Sequence, residues 1–562
     1  MRRATRSLGS LGIVIFRQAW IPSILLSLFA WMLVRPVGEF PVNDDWQYAR
    51  AAKILLDSGK FVSDSNSAAA LLGQVIASWP ILKIFGFSHL TLRFSTIALS
   101  LLCLVCIDRI LARAKAAPWA RIAATCTLAV SPYWLYLSGS YMTELWGLAP
   151  ALLAAAIWFT YRRDSGAIVA VPAALTCGLL CAVAFCTRQF CMLALPALFI
   201  SAMPALHGRL RASLPALLTA SASCAVVIAL WFLSRSTQIP EALRGHEANL
   251  RTPHLGAVGV QCCFFVFYMS GFMMPLLLLF PFRSDRITWR LVPLFLLVAL
   301  LAGLLARLTG DTPAGVCSLT HTRFPYMGNI LYDAGLGPIT TADLFVFNAP
   351  PPGQWGAHVW RWIEWTIGLS AALWATVRIR RAGLEVALFG TSFGALSTLV
   401  AAQATAPYFF ERYNINGVVG LAIALGAAFP LQVPQLRKWA CAVLPALLLA
   451  TFSIGAMHDH FRWQRARTDL AITALEFGAD RSTVEMGYEL DGWLKHQEQP
   501  PPASHCINHC SCDWVPGSWN CQDSSYYIGF SPPPHYGLFT RVKPSAWLVD
   551  LPYLLLAKRN PK

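Results

Sequence analysis

Pro41-Val-Asn-Asp-Asp-Trp-Gln-Tyr48 places two adjacent carboxylates in the first polar loop after the first apolar segment of a very apolar chain. Asp44 and Asp45 open a short amphipathic pattern. Tyr48, Ala52, Leu55 and Leu56 share one helical face, and Arg50, Lys53 and Asp57 share another. Such a helix lies along a membrane surface, which would hold both acids at the boundary between water and lipid. The rest of the chain reads as a scaffold for that loop.

Of the 562 residues, 56% are hydrophobic and 13% charged, and the mean hydropathy is +0.52. Soluble chains carry about 25% charged residues, so the sequence reads as an all-α polytopic membrane protein. The formal charge is +16, but the basic residues sit in short segments between apolar runs. That is a topology signal and not a nucleic-acid footprint. There is no GxxxxGK[ST] phosphate loop and no cytoplasmic stretch long enough for a nucleotide-binding domain, which argues against an ATP-driven pump.

Counting apolar runs against the roughly 20 residues that cross a bilayer gives about thirteen spans. They fall near 19–35, 90–108, 119–137, 145–161, 167–186, 190–206, 213–233, 258–281, 291–308, 362–377, 384–402, 415–431 and 439–456. The first follows Arg2, Arg3, Arg6 and Arg17 with no small-residue cleavage pattern after it, so it reads as a retained signal anchor. The short connections alternate in charge. Arg162-Arg163, Arg378 with Arg380-Arg381, and Arg437-Lys438 fall on the cytoplasmic side together with the N-terminus. The first loop (36–89), the Gly139–Glu144 turn, the Thr187-Arg188-Gln189 turn, the Ser234–Leu255 loop and the Pro407–Asn414 turn fall on the outer side. The apolar segment 68–87 would invert every later loop if it spanned, so it reads as a second surface or re-entrant helix.

This divides the chain into a membrane domain, residues 1–456, and a small extracytoplasmic domain, residues 457–562, in an inner-membrane protein. The tail carries Cys506, Cys510, Cys512 and Cys521 close to His505, His509 and His535. In an oxidising compartment two disulfides are expected, with a metal site the alternative, although the spacing fits no standard zinc module.

Several outer-face residues have both a structural and a chemical reading. Asn43 is a favoured helix N-cap, and acids in a first turn complement the helix dipole. A carboxylate at the membrane surface is equally a general base for an acceptor hydroxyl. Glu144, at the start of the fourth span, is either a dipole partner or a second acid that orients an acceptor or holds a divalent cation. Arg188 and Arg412 either snorkel to the interface or pair bidentately with an anionic lipid headgroup, and Glu411 offers Arg412 a structural partner. Trp46, Tyr48 and Tyr413 are the aromatics beside these groups. His458 and His460, just past the last span, are weaker metal candidates.

In their order along the chain these pieces resemble the GT-C superfamily of membrane glycosyltransferases, in the branch of the protein O-mannosyltransferases and the lipid A aminoarabinose transferase. The first loop resembles that branch's acidic pair, followed by a Tyr-Ala helix and a Gly turn: Asp44-Asp45, Tyr48-Ala49 and Leu56-Asp57-Ser58-Gly59-Lys60-Phe61. Phe85 to Phe94 resembles its approach to the second span, and Glu411-Arg412-Tyr413 its late Arg-Tyr turn. Glu144 stands where the family usually has Asp, and Thr187-Arg188 where it often has Thr-Lys. The resemblance is good over residues 37–200 and absent from the cysteine-containing tail.

It implies a sugar on a polyprenyl phosphate as donor and a lipid, glycan or protein hydroxyl as acceptor, among membrane lipids and without nucleic acid. Asp44 or Asp45 would be the base of an inverting transfer, and Arg188 and Arg412 would stabilise the departing phosphate. A polytopic transporter or lipid-linked-sugar flippase is the rival reading, but such a protein carries charges or broken helices at mid-span and often repeated halves. A non-catalytic relative acting in assembly is the third.

Overall fold

The computed structural model describes residues 18–63, 67–163, 166–235, 241–252, 254–279, 330–332, 335–336, 383–405, 410–429, 431–495, 524–532, 535–548, 550 and 552–561. The first span is helix α1 (Trp20–Val34), closed by Arg35 in the left-handed region. The chain then crosses to α2 (Asp45–Ser58) and α3 (Leu72–Phe85), the two helices expected along the surface, which pack against each other. The loop leading into α2 is pinned by α4 (His89–Arg113). Arg93 donates to the carbonyls of Pro36, Gly38 and Phe40 at 3.1, 3.0 and 2.8 Å, and the Glu39 carboxylate accepts the His89 N–H at 2.8 Å. A single guanidinium that satisfies three carbonyls fixes irregular backbone that would otherwise carry unpaired polar groups.

One expected span, 119–137, is two helices. Ser131 caps the N–H of Trp134 and Pro132 supplies a preset φ at the first helical position, so α5 (Pro118–Ala129) stops and α6 (Pro132–Ser138) starts afresh. The bundle continues with α7 (Thr143–Thr160), α8 (Val171–Thr187), a 3-10 turn (Gln189–Leu193) running into α9 (Ala194–Leu206), and α10 (Leu210–Arg235). After the short α11 (Glu241–Arg251) come α12 (Leu255–Phe272) and α13 (Met274–Leu279), so the expected span 258–281 is also interrupted.

Helices α14 (Leu384–Thr405) and α15 (Ile415–Ala428) pack tightly, joined through the 3-10 turn Glu411–Asn414. Gly390 and Gly420 face each other's backbone so closely that a Cβ on either would overlap the other's carbonyl. Small residues of this kind let membrane helices approach.

Helix α16 (Leu436–Glu476) runs unbroken across residue 456, where the sequence reading ends the membrane domain. Its polar half stays helical because it is paired: Arg467 Nη1 donates at 2.8 Å to Glu489 on α17 (Tyr488–Lys495). The tail also departs from an all-α fold. A two-residue hairpin, β1 (Leu331–Tyr332) with β2 (Gly335–Leu336), precedes it. The tail then forms a four-stranded sheet from β3 (Val484–Glu485), β4 (Tyr526–Gly529), β5 (Tyr536–Val542) and β6 (Leu554–Arg559), ordered β3-β4-β6-β5, with only the β3–β4 pair parallel.

Among the described residues six helical stretches are long and apolar enough to cross a bilayer, and α1, α3 and α8 are shorter apolar helices. The chain is a multi-pass membrane protein. The expected spans 291–308 and 362–377, and the four tail cysteines, lie outside the described residues.

Candidate active site: a charged cluster on four turns

The polar turns that the charge alternation assigns to one side meet at one end of the bundle. Asn43 takes φ +56, the left-handed conformation that Asn tolerates, and the turn presents Asp44 to a residue 368 positions away. Asn43 is therefore a turn residue and not the N-cap expected from sequence; Asp44 occupies the cap position and makes no capping bond. Arg412 Nη2 donates to Asp44 Oδ2 at 2.5 Å. Arg412 Nε and Arg188 Nη2 each stand 3.5 Å from the same oxygen of Glu144.

Gly147, one turn beyond Glu144 on α7, permits this approach, because a Cβ there would lie 2.7 Å from that of Arg188. Side-chain exposure is 1% for Glu144 and Arg188 and 4% for Arg412, against 23% for Asp44. Asp44 is thus the acid of the cluster that solvent reaches.

The two guanidinium groups are held from below by π faces. The Arg188 Cζ lies 4.0 Å from the centre of the Tyr413 ring and 4.9 Å from that of Phe190, and the Arg412 Cζ lies 5.1 Å from Tyr413. Tyr48 is buried on α2 beside the same charges. Burial first, and then the Asp44 carboxylate, push its phenol well above its ordinary range. Among the described residues, Arg188 Nε and Nη2 and Arg412 Nε and Nη1 are buried without a hydrogen bond. Two of these, Arg188 Nη2 and Arg412 Nε, face Glu144 at 3.5 Å. Buried donors normally find acceptors, so Arg188 Nε and Arg412 Nη1 leave the cluster with donor capacity suited to a phosphate.

The second acid does something else. Asp45 is buried, and its two oxygens accept the N–H groups of Val42 at 2.6 Å and Tyr141 at 3.0 Å. It ties the first loop to the turn before Glu144. Burial raises its pKa to about 7, against the lowering effect of those two bonds and of Arg93. Gln74 and Ser78 of α3 bind the same Tyr141, at 2.9 and 2.6 Å, completing the clamp.

Other expected residues lie elsewhere. Trp46 packs its indole under Gly492 of α17, away from the cluster. Glu411 accepts the N–H of Ile330 at 2.5 Å, so it is Asp44 and Glu144 that partner Arg412. His458 stacks on Trp547, centroids 3.7 Å apart, with Nδ1 3.0 Å from Asp459, and His460 packs near Tyr136. Neither histidine joins Glu144, and among the described residues no three His, Cys, Asp or Glu side chains are grouped to hold a metal ion. Two guanidinium charges beside Glu144 do not fit a cation ligand.

Sequence reading missed His246. It lies on α11 and, with Arg188, Gln189, Glu247, Thr405 and Tyr413, lines a mainly apolar cavity of about 240 Å³. The spacing Leu243, His246, Leu250 on one helical face was the available signal.

The fold and cluster define a multi-pass membrane protein with two arginines and two acids gathered at one end of the bundle. No family model matches the chain, and no curated protein does. Among solved structures it is similar to ArnT from Cupriavidus metallidurans in the apo state, with 12% identity and a TM-score of 0.39 over 99% of this chain and 100% of that one. The same protein bound to undecaprenyl phosphate gives 11% and 0.40, covering 99% of each chain. The Archaeoglobus fulgidus oligosaccharyltransferase in the apo form gives 12% and 0.39, over 82% of this chain and 58% of that one. These are distant likenesses; the chemistry of the cluster is set by its own side chains.

Proposed function

We propose that this chain is an inverting glycosyltransferase that moves a sugar from a polyprenyl phosphate to an acceptor hydroxyl on the outer face of the membrane. The observation that carries the reading is the pair Arg188 and Arg412, buried with unmatched donors between a partly exposed carboxylate and an apolar cavity. A lipid-linked phosphate has the matching parts: an apolar chain for the cavity and an anion for the guanidinium groups.

In this reading Asp44 accepts the proton of the acceptor hydroxyl as its oxygen bonds to the anomeric carbon. The bond from that carbon to the phosphate oxygen breaks, and its electron pair leaves with the phosphate. Arg188 and Arg412 stabilise the charge that develops there, the kind of preorganised electrostatic help that acts most strongly in a site shielded from water. Glu144 holds the two guanidinium groups together and keeps their mutual repulsion from spreading them. Asp45 positions the loop.

The test is mass spectrometry of polyprenyl-phosphate sugars in native membranes. One lipid-linked sugar accumulates in a deletion, returns to its ordinary level with the wild-type chain, and stays high with Arg188→Gln expressed equally. Unchanged lipid-linked sugars in the deletion, under conditions where the protein is made, would contradict the proposal.

A further inference from the structure

The cavity beside Arg188 ends on a helix that the cluster does not use. Helix α11 is latched to α14: Gln403 Nε2 donates to the carbonyls of Asn249 and Thr252 at 2.6 Å each, and Asn249 Nδ2 donates to the Ala404 carbonyl at 3.0 Å. Those bonds fix the face that carries Leu243 and His246 over the cavity, opposite Phe185 and Trp231. Polar groups at this end come from three places. Arg188 and Gln189 stand at the end of α8, Tyr413 with neighbouring Arg412 on the 3-10 turn, and Glu247 beside His246 on α11 itself; α14 contributes the Thr405 hydroxyl, already bonded to the Ala401 carbonyl at 2.9 Å. The Gln189 side-chain amide nitrogen, like those of the arginines, is buried without a hydrogen bond among the described residues.

We propose that His246 binds the phosphate of the lipid-linked donor in its protonated form and gives that proton to the oxygen from which the sugar departs. The inference rests on the lipid-phosphate reading above and adds an acid to it. Without an anion, burial first and then Arg188 and Arg412 push the imidazole down to about 4, so it is neutral. The negative charge of a diester held by those arginines opposes their repulsion and favours the imidazolium, and His246 takes up a proton from the buffer as the donor binds.

The transfer then balances. The acceptor hydroxyl loses its proton to Asp44, the new bond forms to the anomeric carbon, and the old carbon–oxygen bond gives its electrons to the phosphate. The phosphate, passing from diester to monoester, receives the proton of His246. A phosphate monoester has a second pKa of about 6, close enough to imidazole for the proton to pass without a large barrier.

The test uses the detergent-purified full chain and a farnesyl phosphodiester, which has no titrating proton near neutrality. Calorimetry in buffers of different ionisation enthalpy should show uptake of close to one proton per diester bound near pH 7. The affinity should fall about tenfold per pH unit from about pH 4, where the free imidazole titrates, up to the pKa of the complex, and level off above it. His246→Gln should flatten that profile to within about twofold and slow sugar transfer about 100-fold, whereas Glu247→Gln should keep the slope. Diester binding by the wild type without proton uptake, or an unchanged slope in His246→Gln, would overturn the role of His246 and leave the lipid-phosphate reading standing. Failure of the wild type to bind either the diester or farnesyl phosphate would overturn both.

Discussion

Arg121 donates through Nε and Nη2 to the two oxygens of Asp108 at 2.8 and 2.6 Å, and Arg162 grips Glu385 in the same way at 2.8 and 2.5 Å. At the other end of the bundle, Arg188 and Arg412 share one oxygen of Glu144 at 3.5 Å, and only the Arg412–Asp44 bond is close. The residue types are the same. Where fork meets carboxylate squarely, the charges are neutralised and the hydrogen bonds used up, so the pair is a fastening. Where two forks share one carboxylate oxygen, donors remain for a further anion. The geometry of a buried ion pair therefore separates structure from chemistry better than its burial does.

Substitutions at the two ends of the bundle should separate the two kinds of ion pair. Asp44→Asn should lower transfer by about 100- to 10,000-fold, the usual worth of a positioned general base, with a smaller loss of stability than at Asp108, because Arg412 keeps Glu144 as a charge partner. Asp108→Asn should do the reverse, destabilising the chain by about 3–5 kcal/mol as Arg121 loses its charge partner, while the folded fraction transfers sugar at the wild-type rate.

Asp45 is an acid whose contribution depends on pH. Its folded pKa, about 7, lies above the ordinary 3.8. Its contribution is therefore fully present below pH 3.8 and is lost as pH rises toward 7. Relative to Asp45→Asn, the wild type should lose stability at up to about 1.4 kcal/mol per pH unit across that window, read as the difference between the two unfolding midpoints. The smallest effect belongs to the exposed Lys53–Asp57 pair on α2, 2.9 Å apart with side chains 46% and 56% exposed. Asp57→Asn should shift stability by less than about 0.5 kcal/mol and leave transfer untouched.

Much of the site was legible because a membrane allows few arrangements. Once the basic loops are put on one side, Asp44, Glu144, Arg188 and Arg412 must share the other, and the structure places them within ion-pair distance. The division of labour between Asp44 and Asp45 was not legible. Neighbours in the first turn of a helix point in different directions, and their partners, Arg412 and Tyr141, lie 368 and 96 residues away.

Hydropathy also hid breaks and continuations. It passed over Ser131-Pro132, which restarts a helix inside an apolar run, and it stopped before His458-Asp459-His460 in the middle of α16, whose charged half stays helical because Arg467 has Glu489. The alternation in β5 and the aliphatic run Leu554–Leu556 of β6 were short strand signals inside a tail read only as a small domain. His246 escaped because a lone histidine in a polar loop acquires meaning only from the arginines that face it.

Transfer is tested most directly with the lipid-linked sugar that accumulates in the deletion, the purified chain and an acceptor-containing membrane extract, by following release of free polyprenyl phosphate. The wild type should release it in step with sugar transfer, and Asp44→Asn should bind the donor equally well yet release it at least about 100-fold more slowly. Release by Asp44→Asn at the wild-type rate would rule out Asp44 as the base, and a wild-type chain that binds the lipid-linked sugar without ever freeing the phosphate would rule out sugar transfer.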